Sequence, residues 1–279
     1  MDDDVLLRVD DGIWRIAAPN AEMNYEPTNV YLFGNDPMIL IDAGSPGGAD
    51  VILQSLEQIG RPRLTAIVLT HTHPDHAGGI EKLRDATGAP VWVHPDALRE
   101  AEQWQLSVPI DHELREGWTM SIDGFTLEAI ETPGHALGHV SLLDRSRKLL
   151  VAGDLVSGEG TVAIVPPFGN MAAYLDSLNR VREAGVMRML PGHGPVMDDG
   201  QRVLAAHIRR RLSRESQILD LVRQGYSTVE DIVTQLYPGA STMVHHAAMG
   251  TTVAHLAKLL EEGRVRHEGD DQLTGYVAV

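Results

Sequence analysis

The apolar run Leu64–Thr70 (LTAIVLT) is followed at once by His71-Thr72-His73-Pro74-Asp75-His76-Ala77-Gly78-Gly79. Three imidazoles and a carboxylate crowd into this short stretch, and no other part of the chain restricts its folding as much. The run is rich in β-branched residues and too short for a stable helix, so it predicts a buried strand over 64–70. The two glycines and Ile80-Glu81-Lys82-Leu83 then open a helix. In a strand-to-helix loop the side chains of His71, His73, Asp75 and His76 can converge on one pocket. A regular strand or helix would not bring all four together. Neutral imidazole and carboxylate are the donors that borderline divalent cations such as zinc prefer, so the stretch predicts a metal site.

The arrangement recurs along the chain. Strand-like runs end at Asp42 (after Met38–Ile41), at Thr132-Pro133-Gly134-His135 (after Phe125–Glu131), at Gly153-Asp154 (after Leu149–Ala152) and at Pro191-Gly192-His193-Gly194 (after Val186–Leu190). Each delivers an aspartate or a histidine at a turn marked by glycine or proline. Together with His71 they predict one shared site on the loops at one edge of packed sheets. Asp42 reads either as a helix cap or as a carboxylate that orients a metal ligand. His94, after the short strand Val91-Trp92-Val93, either lines the pocket or is polar filling. Ser45 and Ser157 read as turn residues. Spacing alone leaves open which ligand serves which cation.

A chain of 279 residues that is 43% apolar can bury one large core, or a large and a small one. No apolar run is long enough to span a bilayer. The start, Met1-Asp2-Asp3-Asp4, is acidic where a secretory leader is basic and then apolar. The expectation is a soluble, cytoplasmic protein with no membrane partner. With no cysteine, no thiolate can ligate the metal. The net charge of −16 lies in residues 1–200, with 14 Lys and Arg against 30 Asp and Glu, whereas residues 201–279 hold 9 against 9. A nucleic-acid binder usually carries a basic footprint; here only Arg209-Arg210-Arg211 with Arg214 resembles one.

The tail predicts three helices, over Arg202–Arg223, Val229–Leu236 and Met243–Glu262. Ser227-Thr228 caps the second, with Glu230 and Asp231 in its first turn. Two β-like runs around a turn follow, and together these elements suggest a winged helix. The third helix holds only Lys258 as a basic residue, against Glu261 and Glu262. The tail is therefore expected to pack on the N-terminal part that carries the metal site, shape its cleft or form a homodimer. His245, His246 and His255 read as helix surface and interface.

The set His71-x-His73-x-Asp75-His76, Thr-Pro-Gly-His135, Gly-Asp154 and Pro-Gly-His193-Gly resembles the metallo-β-lactamase superfamily over roughly residues 10–200. With the tail added, the chain is most similar to the β-lactamase-like-protein-2 group. The resemblance implies an α/β fold, an αββα sandwich over residues 1–200, followed by a small winged-helix-like domain over 201–279. It implies a dinuclear centre in which His71, His73 and His135 hold one metal, Asp75, His76 and His193 the other, and Asp154 bridges them. Asp75 and Asp154 become the catalytic carboxylates, Asp42 and His94 the supporting candidates. Two divalent cations are implied, zinc favoured, with manganese and iron open. The implied activity is hydrolysis by a metal-bridging hydroxide of a small-molecule ester, thioester or lactone, or of a phosphodiester. Single-stranded RNA cleavage and a non-catalytic, metal-containing regulator that binds nucleic acid are the alternatives. Drug-hydrolysing members commonly use a cysteine ligand, absent here, so β-lactam hydrolysis is not expected. Flavodiiron members usually carry glutamate where this chain has His73, which favours a hydrolytic site over a redox one.

Overall fold

A computed structural model of the protein describes residues 5–20, 25–158, 160–269 and 271–279. The acidic start and Asp270 of the C-terminal turn lie outside the described residues. The N-terminal half runs β1 (Leu6–Asp10), β2 (Ile13–Asn20), β3 (Tyr25–Gly34), β4 (Met38–Ile41), α1 (Gly48–Gln58), β5 (Leu64–Val68), α2 (Pro74–Ala77), α3 (Ile80–Thr87), β6 (Val91–Val93), α4 (Ala97–Gln103) and β7 (His112–Glu113). Its strands form one sheet in sequence order. The second sheet has the order β12-β11-β10-β9-β8 and is built from β8 (Thr119–Ile122), β9 (Phe125–Glu131), β10 (Val140–Asp144), β11 (Leu149–Gly153) and β12 (Arg188–Pro191), with α5 (Met171–Glu183) between the last two. The tail adds α6 (Gly200–Arg223), α7 (Val229–Leu236), α8 (Thr242–Glu261) and a hairpin of β13 (Val265–His267) and β14 (Tyr276–Ala278).

The period-two alternation of strand side chains builds the layers. Every residue of β4 is buried, but Met38 and Leu40 pack outward with Ile52 and Leu56 of α1, while Ile39 and Ile41 face the second sheet. The second sheet does the same in β11: Leu149 and Val151 face inward, and Leu150 and Ala152 pack outward with Tyr174, Leu178 and Val181 of α5 and Leu204 and Ile208 of α6. A strand apolar on both faces needs cover on both, so the result is an αββα sandwich. The tail has its own core of Ile218, Val222, Ile232, Leu256, Leu259, Val265 and Tyr276.

This topology brings the predicted strand ends together. β4 and β5 are parallel, as are β11 and β12, and β9 runs antiparallel to β10, which runs antiparallel to β11. The C-terminal ends of β4, β5, β9, β11 and β12 therefore emerge at one edge. Two backbone bonds tie the sheets there, Val140 N–H to Thr70 O at 2.8 Å and Asn29 N–H to Gly192 O at 2.7 Å. The stretch after β5 differs from the predicted open loop. Pro74 starts a single turn, α2, which places Asp75 and His76 on a helix; proline suits the first helical position because its missing N–H would be unpaired anyway.

Candidate metal centre

Three groups of ligand atoms meet at this edge: His71, His73 and His135; His71, His76 and Asp154; and Asp75, His76 and His193. The atoms within each group lie within 4.8 Å of one another. The first and third have the membership implied for the two cations. Asp154 touches both, with Oδ1 3.4 Å from His76 Nε2 and Oδ2 3.5 Å from His135 Nε2 and 3.6 Å from His193 Nε2.

Each histidine in these groups presents one nitrogen to the cluster and has the other beside an oxygen. His71 Nδ1 lies 3.0 Å from Thr70 Oγ1, His76 Nδ1 2.8 Å from Asp42 Oδ2, and His73 Nε2 2.9 Å from Glu100 Oε1. His135 Nδ1 donates to Ala163 O at 2.8 Å and His193 Nδ1 to Pro27 O at 3.2 Å. Such outer acceptors fix the tautomer and leave a lone pair aimed inward, the form a cation binds. Thr70 Oγ1 in turn donates to Asp42, which also accepts the Thr70 N–H. Asp42 thus has the place of an orienting carboxylate, in the left-handed region at φ 65°. The N-cap of α1 is instead Gly47, which offers no side-chain cap.

The donor set fits divalent cations on two further observations. The inward nitrogens His73 Nδ1 and His135 Nε2 face each other at 2.9 Å, although each ring's other nitrogen already donates to an oxygen. Two lone pairs this close repel unless a proton or a cation lies between them. In addition, His71 Nε2 and Asp154 Oδ1 are buried without a hydrogen-bond partner, and buried polar atoms are almost always satisfied.

Charge is divided across the cluster. Burial, reinforced by the neighbouring imidazoles, pushes His71 well below its ordinary value and His135 down to about 4, keeping these two rings neutral. Burial disfavours charge on His76 and His193 too, yet Asp75 and Asp154 outweigh it and raise both. Burial would likewise raise the two aspartates, but His76 and the other imidazoles hold both below the carboxylate range. This corner therefore favours positive charge.

Of the remaining predicted positions, His94 is buried but outside these groups. Its Nε2 lies 3.1 Å from Glu131 Oε1, and Nδ1 accepts the Asp96 N–H at 3.2 Å. Ser45 caps its own turn, accepting from Gly48 N–H and donating to Pro19 O. Three contributors carry no local signal in the sequence. Glu100, buried on α4, also accepts the Leu137 N–H at 2.9 Å and so links His73 to the loop of His135. His139 accepts the Asp154 N–H at 3.0 Å on Nε2. Asn29 donates to Pro191 O and Gly194 O, bracing the loop of His193. We expect Glu100→Ala to weaken metal binding about 10–100-fold while the fold persists. Competition with a chromophoric chelator checks this, and an unchanged affinity would remove Glu100 from the centre.

The sequence matches the family description "Metallo-beta-lactamase superfamily" over residues 23–193, more than half of its length. The chain belongs to the metallo-β-lactamase superfamily. Members of this superfamily are commonly hydrolases. Residues 228–273 match the "Beta-lactamase associated winged helix domain", so the tail of α7, α8 and the hairpin is a winged-helix domain. A "Beta-lactamase-like protein 2 homolog" from Caenorhabditis elegans is 30% identical over 270 residues, covering 93% of this chain and 88% of that protein. An "Atrochrysone carboxyl ACP thioesterase" from Aspergillus fumigatus is 30% identical over 207 residues, 71% of this chain and 60% of that protein. Among solved superfamily folds, a "Beta-lactamase domain protein" from Burkholderia ambifaria superposes with a TM-score of 0.86 at 20% identity, covering 98% of this chain and 93% of its own. A metallo-β-lactamase family protein from Thermus thermophilus gives 0.80 at 22% identity, covering 98% and 100%.

Proposed function

We propose that the chain is a dinuclear metal-dependent hydrolase of an ester-type carbonyl compound, with thioesters as the preferred class. The observation that carries this reading is the pair of three-ligand groups with Asp154 between them. In this reading His71, His73 and His135 hold one cation and Asp75, His76 and His193 the other. Residues 1–200 form the catalytic unit and 201–279 its helical link and winged helix. Bound divalent cations, zinc first, supply Lewis acidity and a water activated near neutral pH.

The chain's own residues do the rest. Five outer oxygens hold the imidazoles in the ligating tautomer, so little reorganisation is needed when cations bind. Asp75 is kept ionised beside His76 and accepts the Thr28 hydroxyl at 3.0 Å, which fixes its second contact. Two carboxylates against two divalent cations leave the centre positive, matched to the anion that forms when a carbonyl is attacked. At the rim, Trp104 stands edge-on to His73 with its ring 5.8 Å away and is 48% exposed, offering an apolar face to an acyl group. The thioesterase named among the relatives supports this substrate class. The charge of −16 on residues 1–200 opposes a polyanion such as RNA, and no helix among the described residues is long and apolar enough to cross a membrane.

Metal-loaded protein should hydrolyse acyl thioesters of N-acetylcysteamine faster than matched oxygen esters, lactones, phosphodiesters or single-stranded RNA. Released thiol can be read directly with a thiol reagent, because the protein has no cysteine to contribute background. Trp104→Ala should raise KM several-fold for long acyl chains and little for acetyl, since burying each CH₂ is worth about 0.8 kcal/mol. Turnover of RNA with none of the carbonyl substrates would overturn the assignment.

A further inference from the structure

The helices α6 and α8 reach into the metal centre through one segment. Residues 160–165 follow β11, and the Ala163 carbonyl within them takes the Nδ1 proton of His135 at 2.8 Å. On either side of Ala163 the segment is held by the C-terminal helices. Arg210 donates to Gly160 O at 2.7 Å, and the guanidinium of Arg211 donates to Val162 O. The hydroxyl of Thr251 on α8 accepts the Ile164 N–H at 3.3 Å. Gly250 lies so close to Val165 that a methyl group added there would sit 2.9 Å from its side chain.

Arg211 is only 4% exposed, and a buried guanidinium is costly unless it has a defined task. Besides gripping Val162, it lies over the ring of Tyr174, 5.1 Å from its centre. Tyr174 is itself in contact with both strand ends of the centre. Its hydroxyl donates to Leu155 O at 2.9 Å, one residue past Asp154, and its backbone packs on Gly134, one residue before His135. One side chain of α6 therefore bears on the residue next to the acceptor of His135 and, through Tyr174, on the residues beside His135 and Asp154.

We propose that Arg211, assisted by Thr251, is a positioning residue of the metal centre: it fixes the 160–165 segment so that the Ala163 carbonyl aims His135 at its cation. The C-terminal helices are then part of the metal site rather than an appended module. The inference rests on the metal reading above, and its effect is local to the group of His71, His73 and His135. The other group takes its outer partners from the first sheet: the Thr28 hydroxyl donates to Asp75, while Asp42 and the Pro27 carbonyl face His76 and His193.

The test is a metal titration of the full chain with zinc against a competing chelator, resolving the two affinities. Arg211→Met keeps length and apolar bulk but cannot donate. It should lower the affinity of the first group about 10–100-fold, the effect typical of losing an outer partner, and leave the second unchanged. Arg211→Lys, which keeps the charge over Tyr174, should recover part of the loss. Thr251→Val is isosteric and should shift the same affinity in the same direction by less; it decides the matter if Arg211→Met does not fold. Wild-type affinity at both groups in the folded variants, or an equal loss at both, would overturn the proposal. A wild-type chain that binds no metal would overturn the site reading as well, so the two failures are distinguishable.

Discussion

Asp154→Ala is expected to abolish turnover, lowering kcat/KM by about 10²–10³-fold or more, and to release metal from both ligand groups. Asp154 is 9% exposed and, among the described residues, is the carboxylate whose two oxygens approach both groups, reaching His76 with one and His135 and His193 with the other. In the proposed dinuclear centre, removing it would delete the carboxylate that lies between the two groups and the negative charge that would offset two cations. Asp154→Asn should be nearly as damaging, because the amide keeps the shape but neither the charge nor the second acceptor oxygen. Chelation of the wild type should reproduce the loss, and added zinc should reverse it for wild type but not for the variants. Metal content and hydrolysis measured on the same preparations check this. An Asp154→Ala protein that retains two metals and full turnover would sink the dinuclear mechanism.

Gly134→Ala should be the most damaging single methyl addition near the site, costing about 3 kcal/mol of stability. Gly134 has φ of 132°, a region that residues with a side chain rarely adopt. A Cβ there would lie 2.4 Å from both N and Cα of Tyr174. Those are backbone atoms of a helix that cannot step aside. The Asn170 side chain caps α5 by accepting from Ala173 N–H, and Asn170 N–H itself donates to Gly134 O at 2.8 Å. Ser177 further ties α5 to Pro133 O at 2.8 Å. The added methyl must therefore displace the loop that carries His135 or the start of α5. Thermal unfolding should be measured with chelator present, since bound metal would otherwise stabilise the native state and mask part of the loss. A melting temperature within a degree of wild type would show that the loop yields without cost.

The fold and the gathering of the candidate ligands at one edge were legible for a definite reason. Strands buried on both faces read as short apolar runs, and the residues at their ends, Asp42, His71, His135, Asp154 and His193, are types that rarely gather at turns without a shared task. The supporting residues were not legible, because their partners are distant in sequence. Glu100 sits in a charged stretch that resembles any solvated helix, yet it contacts His73, 27 residues away. Asn29 reaches Pro191 across 162 positions, and Arg211 reaches Val162 across 49. Helix α5 begins at a clear cap, Asn170, but nothing in its sequence states that Tyr174 will lie against Gly134. His94 reads the same way as the clustered histidines, at a strand end, but its two nitrogens meet Glu131 and the Asp96 N–H instead.

The sequence by itself determined which donors exist, that none is a thiolate, and that they occupy loops at strand ends of an α/β chain with a winged-helix tail. The tertiary structure alone decided how those donors are aimed. A ligand's tautomer depends on what its second nitrogen meets, and that partner comes from another element: α4 for His73, the end of β4 for His76, the 160–165 segment for His135. The grip of α6 and α8 on that last segment belongs to the same category. It depends on how the C-terminal helices pack against the second sheet, and packing between remote elements leaves no trace in the local spacing of residues.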